Sequence, residues 1–363
     1  MALARVSQRD IARRAKVHFT TVSLALRNSP SLPEATRLRI QTLAKGMGYR
    51  PDPMLCALQS YRKNAKSPRF QGIIAWINRH PIPAQLYTGK FVQRYLSAAT
   101  QRCEELGYQL EEFNLAKMDT LQLSKVFRAR NIQGLLLPPQ PLNPTPFVLD
   151  WENYSAVTFG YSLSRPRLHL FSNAQYSSAR KGVRILRKHG YHRIGFVITQ
   201  ISDERTDRNF SAGYLADQRS DKPSDRIPML IDDGREMAKQ QRSFERWYKA
   251  HRPDAILAHH EKILPFMEEA GIAYSECGLA LLALDFASEG KFAGIYQNDF
   301  LIGSTAVDFV VGMIQRNERG VPETPLRILV EGKWVEGETL PIRCANMDLG
   351  DESWQHLSAE LAK

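Results

Sequence analysis

Cysteine is scarce in this chain: Cys56, Cys103, Cys277 and Cys344 are scattered over 363 residues and form no C-x-x-C pair. Such spacing offers neither a zinc ligand set nor a redox dithiol, so buried free thiols are expected. Long apolar runs are missing as well. Nothing approaches the roughly 20 apolar residues of a membrane span, and residues 1–8 lack the apolar segment of a secretory signal. A cytoplasmic protein with no membrane partner is expected. The Gly-x-Ser-x-Gly, P-loop and Gly-x-Gly-x-x-Gly patterns are absent, and no Ser, His and Asp arrangement stands out. Asp285 and His259 could be drawn as an acid/base pair, but any cleft with a polar lining permits that. The reading is a protein that is no enzyme and carries no cofactor.

Acidic residues are short in one region only. The first 70 residues hold fourteen Lys and Arg against Asp10, Glu34 and Asp52, which accounts for the whole net charge of +11. The remainder has 35 basic and 35 acidic residues. A basic head on a neutral body fits a polyanion-binding module joined to an uncharged sensor. The length suits a head of about 60 residues and a body of two further domains.

The head has a definite pattern. Ser7-Gln8-Arg9-Asp10 is a helix start, with the hydroxyl taking an orphan N–H and the carboxylate facing the positive helix end. Ile11, Ala12 and Ala15 follow at helical spacing. Lys16-Val17-His18 is a turn, and residues 19–27 form a second short helix burying Val22 and Leu26. Residue Pro33 opens a third, presenting Ile40, Leu43, Ala44 and Met47 before Gly48 stops it. The second helix is short, starts with small hydroxyl residues suited to phosphate oxygens, and follows a basic helix. That arrangement can enter a major groove.

On Val6-Ser7, Asp10-Ile11-Ala12, Ala15, Val17, Thr21-Val22-Ser23, Thr36-Arg37 and Gly48-Tyr49-Arg50-Pro51, the head resembles that of the lac repressor/galactose repressor family. The resemblance implies that Ser7, Thr21 and Ser23 hold phosphates and that Phe19, Thr20 and Leu24 face base edges. His18, Arg27 and Tyr49 complete the implied DNA-binding set. Many relatives carry Arg where Leu24 stands. Leucine gives guanine no bidentate hydrogen bond, only apolar contact such as with a thymine methyl, so an unusual operator is expected there.

Residues 52–70 read as hinge and linker. In relatives such a segment folds on DNA and pushes a leucine into the minor groove, a position matched by Leu58. Pro53 and Leu55 depart from the usual hinge. From residue 71 short apolar strands alternate with helical patterns, as parallel βαβ units require. Strands are expected at 72–77, 109–113, 134–137, 156–160, 193–198, 255–258 and 279–284, with helices at 91–106, 121–130 and 178–189. The fold class is therefore α/β: an all-α helix-turn-helix head plus a two-lobed, doubly wound parallel-sheet core. By resemblance this core is periplasmic-binding-protein-like, with three crossings between lobes. The implied limits are a head at 1–51, lobes at 71–190 with 296–325 and at 191–295 with 326–350, and a tail at 351–363.

Ligands bind such sheets beyond the strand ends. Trp76 and Asn78 follow the first strand and could give a flat face and an amide to a sugar, although a core position fits Trp76 nearly as well. Arg208, Asn209 and Phe210 fall where relatives place an arginine followed three residues later by glycine. His259 stands with His260 where the family usually has Asn-Asp. Asp285 matches a ligand-binding acid, Gln175 a position that is commonly acidic, and Gln297 completes the effector-binding set. Adjacent histidines point apart and have no third ligand, so no metal is expected. The expected partners are double-stranded operator DNA, a small hydroxylated effector such as a sugar, and a second copy of the chain as a homodimer. The expected function is a ligand-controlled transcription regulator, a repressor. The competing reading is a small-molecule binding protein whose head associates with DNA without sequence preference.

Overall fold

Ser7 opens the first helix by a reciprocal cap: its Oγ accepts from Asp10 N (3.3 Å), and the Asp10 carboxylate accepts from Ser7 N (2.9 Å). Helix α1 spans Gln8–Ala15, α2 Phe19–Leu26 and α3 Glu34–Gly46. Lys16, in the left-handed region (φ 53°), makes the turn between α1 and α2. Ile11, Ala12, Ala15, Val22, Ala25, Ile40 and Ala44 form the head's core, with Leu26, Leu43 and Met47 packed at its edge. Ala25 is therefore the second inward residue of α2 rather than Leu26, which is only partly buried. Pro33 occupies the cap of α3, one residue before the first turn, and Gly48 (φ 71°) ends the helix as expected.

The computed structural model describes residues 6–26, 31–49, 70–115, 118–141, 147–233, 236–259, 261–284 and 290–343. Arg27, the hinge with Leu58, His260, Asp285, Cys56, Cys344 and the tail lie outside them.

The body holds two six-stranded sheets. The first contains β1 (Gly72–Asn78), β2 (Tyr108–Asn114), β3 (Gly134–Leu137), β4 (Ser155–Phe159), β5 (His169–Asn173) and, far along the chain, β11 (Arg327–Val330). Its order is β11-β5-β4-β3-β1-β2, and every pairing is parallel. The second contains β6 (Ile194–Thr199), β7 (Leu230–Asp232), β8 (Ala255–Ala258), β9 (Gly278–Leu281), β10 (Ala293–Tyr296) and β12 (Lys333–Val335). Its order is β12-β10-β9-β8-β6-β7, parallel except between β10 and β12. Central strands such as β3, β8 and β9 are buried throughout, as strands covered on both faces must be.

Two lobe limits need correction. Helix α6 (Gln175–Lys188) buries Ala179, Val183 and Leu186 among Phe196 and Tyr214, so it covers the second sheet. The chain thus first crosses at residue 174, not near 190. The last crossing falls at 331–332 rather than 325, because β11 pairs with β5. An apolar stripe, not proximity in sequence, decides which sheet a helix covers. The middle crossing lies at 297–298: α11 (Asp299–Arg316) buries Ile302, Ala306, Val307 and Val310 in the first lobe.

Each lobe fastens its return helix by a glycine. A Cβ on Gly303 of α11 would stand 2.5 Å from Tyr95 O on α4 (Lys90–Glu105). One on Gly213 of α8 (Asn209–Gln218) would stand 2.4 Å from Tyr176 O on α6.

Candidate functional site

The head presents α2 outward. Phe19 is 44 % and Leu24 37 % exposed, Thr20 lies beside them, and Val22 and Ala25 point into the core. This is the helical period at work: Thr20 and Leu24, four apart, share the outer face, and Val22 and Ala25, three apart, share the inner one. Ser23 and Thr21 are partly buried at the borders of that face. His18 sits at the start of α2, its Nδ1 accepting from Thr20 N (3.4 Å) and facing Thr20 Oγ1 at 2.9 Å. Ser7 is exposed, but its hydroxyl already donates to Asp10 (2.6 Å), so a phosphate there would meet a hydroxyl shared with a carboxylate. The Tyr49 hydroxyl accepts from Gln8 (3.0 Å) and ties the end of the head to α1.

Several expected cleft residues are engaged elsewhere. Trp76 is fully buried inside β1, its ring 5.4 Å from Phe159, and offers no face to a ligand. Asn78 is also buried. Its amide donates to Glu112 (2.9 Å) and Pro83 O (3.1 Å), and its carbonyl accepts from His80 N (3.0 Å), so it shapes the turn after β1. Strand β1 runs two residues past Trp76, which makes Trp76 a strand-interior residue on the core side.

Gln175 and Gln297 belong to the joint between the lobes. Asn173 Nδ2 donates to Gln297 Oε1 (2.6 Å), and Gln297 Nε2 donates to Leu282 O. Gln175 Nε2 donates to Asn173 Oδ1 (3.0 Å) and Ser172 Oγ (3.2 Å). Ala174 N donates to Val330 O (2.8 Å) and Asn298 Nδ2 to Glu331 O (2.6 Å), so all three crossings meet here. Both glutamines are nearly inaccessible, at 5 % and 6 % exposure. They hold the crossings together and do not line an open cleft.

The second lobe keeps its strand ends more open. His259, partly exposed, follows β8 and lines a small recess with Thr199, Asp232, Lys262 and Phe266. The recess holds only about 30 Å3, room for a water or two. Phe210 is 2 % exposed and packs edge-on to His259 at 5.2 Å, so it supports the histidine rather than touching solvent. Arg208 is exposed at the start of α8, in the left-handed region (φ 56°). Asn209 reaches Tyr161 of the first lobe, and close by Asp207 pairs with Arg327 across the lobes at 3.8 Å.

Three cleft residues escaped the sequence reading: Arg79, His80 and Arg205. Burial brings the Arg79 guanidinium down to about 10 and lowers His80 and Arg205 as well. The signal for the first two was available, since both follow β1 directly. Cys103 and Cys277 are buried free thiols pushed up to about 12 by burial, hence inert. Among the described residues no cluster of His, Cys, Asp and Glu suits a metal, and no helix is long and apolar enough to cross a membrane.

Residues 8–52 match the family described as bacterial regulatory proteins, lacI family. Comparison with curated protein sequences gave no match. Among solved structures, the transcriptional regulator CelR in complex with cellobiose superposes with a TM-score of 0.57 at 16 % identity, covering 92 % of this chain and all of that one. The lac repressor dimer bound to operator and the anti-inducer ONPF gives 0.53 at 16 % identity, covering 93 % and 99 %. A periplasmic binding protein/LacI transcriptional regulator from Alkaliphilus metalliredigens QYMF, complexed with D-xylulofuranose, gives 0.53 at 15 % identity, covering 74 % and 99 %. These likenesses show the fold of the body: two parallel-sheet lobes behind a helical head. The head thus matches the model of the lacI family of bacterial regulatory proteins, and the body has the fold of the solved regulators.

Proposed function

We propose that the protein is an operator-binding transcription repressor that works as a homodimer and whose DNA affinity is set by a small hydroxylated effector, such as a sugar, held between the lobes. The observation that carries this is the outward face of α2, where Phe19, Thr20 and Leu24 stand clear of the head's core. In this reading Phe19, Thr20 and Leu24 meet base edges. Ser7, His18, Thr21, Ser23 and Tyr49 meet the backbone, and the basic surroundings supply affinity that falls with salt. Arg208, Asn209 and His259 remain as effector contacts. Solved regulators of the same fold bind cellobiose and D-xylulofuranose, which supports a carbohydrate-like ligand here. The effector acts only through unequal affinity for two lobe arrangements, and a coupling of about 1–3 kcal/mol is typical of such systems.

Selection of operator sequences from a random duplex pool tests the reading. A near-palindromic consensus is expected. Leu24→Arg then shifts the preferred base pair at one position per half-site toward guanine, with about 1–3 kcal/mol of discrimination. Equal binding to all duplexes would defeat the proposal in favour of a sensor with a non-specific head.

A further inference from the structure

The effector cleft carries an arginine on each wall, with a histidine beside them. Arg79 and His80 leave the C-terminal end of β1, and Arg205 ends α7 (Gln200–Arg205), the helix that leaves β6 directly. Strands β1 and β6 hold equivalent places in the two sheets, next to the β2 and β7 edges. These side chains therefore meet from opposite lobes at the strand ends where such sheets take ligands. His80 lies close enough to Arg205 to feel its charge. The Arg79 guanidinium rests on the Phe147 ring (4.6 Å) and donates to Gln140 Oε1 (2.9 Å), contacts that aim it. Arg205 is partly buried, and no carboxylate among the described residues pairs with it. Asp203, two positions earlier on α7, is buried at 4 % exposure, and residues two apart on a helix do not share a face. Asp207 is engaged with Arg327.

A partly desolvated guanidinium without a counter-charge is costly in the free protein and makes its strongest bonds to anionic oxygens, which its planar fork matches. Resting on the reading of the cleft as an effector site, we propose that its ligand is anionic: a phosphate ester or carboxylate on a hydroxylated frame, seated between Arg79 and His80 of one lobe and Arg205 of the other. Such a group contacts both walls at once, so it favours the closed arrangement over the open one by the difference that control of DNA affinity requires.

The test is a thermal shift and calorimetric titration of the full-length protein. The probes are glucose 6-phosphate, ribose 5-phosphate, glucuronate, inorganic phosphate and sulfate at millimolar concentration, with glucose and ribose as neutral counterparts. At least one anionic probe raises the melting temperature while its neutral counterpart does not. A response to the phosphate esters alone assigns a phosphate group, and a response to glucuronate alone a carboxylate. Arg205→Gln weakens that anion roughly 10- to 100-fold, the worth of one charge-assisted bond. Arg79→Gln does the same, and Arg205→Lys falls between. Without ligand, Arg205→Gln melts no lower than the parent, because an unpaired cation has been removed. Neutral sugars binding as well as their anionic forms, no shift with any anion, or an anion response that Arg205→Gln leaves intact each overturns the inference. Operator selection is read separately and stands or falls on its own.

Discussion

The two lobes share one strand order and differ in what they do at their strand ends. Behind β1 the polar groups are committed: Asn78 to Glu112, Pro83 and His80, and Arg79 to Gln140. Behind β6 and β8, Thr199, Asp232 and His259 border a recess. The sheets end differently too, with β11 parallel to β5 in one lobe and β12 antiparallel to β10 in the other. One architecture thus supports a wall whose amide is spent on its own turn and a wall whose polar groups border a small recess. Topology sets where the strand ends lie, while the chemistry of individual turns sets which groups stand there.

The strongest way to break this equivalence is through the two close glycines. Gly303→Val and Gly213→Val each force a side chain into a neighbouring backbone carbonyl, at a cost of about 3 kcal/mol in chemical denaturation. A lobe that tolerates the change would show that its helix pair can separate, and the equivalence would fail. Next in size is the charge that fastens the same helices. In the second lobe Asp217 meets Arg180 at 2.7 Å and Arg184 at 3.1 Å, with its side chain 8 % exposed. In the first lobe Asp308 meets Arg102 at 2.7 Å but is 49 % exposed. Asp217→Ala therefore costs about 2 kcal/mol, since it leaves clustered arginines without their anion, and Asp308→Ala less than about 1 kcal/mol. Equal losses would show that exposure does not separate the two.

The smallest effect concerns the helix after each edge strand. Helix α5 (Thr120–Ala129) is capped by Asp119, which accepts from Gln122 N at 2.7 Å. Helix α9 (Met237–His251) has Glu236 at that place and no side-chain cap. Asp119→Ala loses about 1 kcal/mol, while Glu236→Ala changes stability by a few tenths at most.

The head was the most legible part of the sequence. A Ser at the cap with Asp three residues later, small residues at helical spacing and a glycine stop are local signals, and each appears where it was read. Strands at 134–137 and 255–258 were equally plain, because continuous apolar runs bounded by polar residues mark fully covered strands. Strands β7 and β12, three residues each, carry no period to detect, and β5 mixes His, Ser and Asn with two apolar residues. The cleft was harder. Trp76 looked like a ligand platform only while the strand seemed to stop early. Gln297 looked like a ligand amide because its partner Asn173 sits 124 residues away along the chain, and Gln175 because nothing in the sequence shows that its amide turns onto Asn173 and Ser172. Arg205 announced nothing, since its meaning comes from a wall built by the other lobe.

The joint made by Asn173, Gln175 and Gln297 is electrically neutral. Amides neither titrate in the physiological range nor lose their hydrogen bonds to dissolved ions, whereas Lys and Arg crowded into the head are shielded by every added millimole. Electrolyte therefore weakens the field of the head while leaving this joint unchanged.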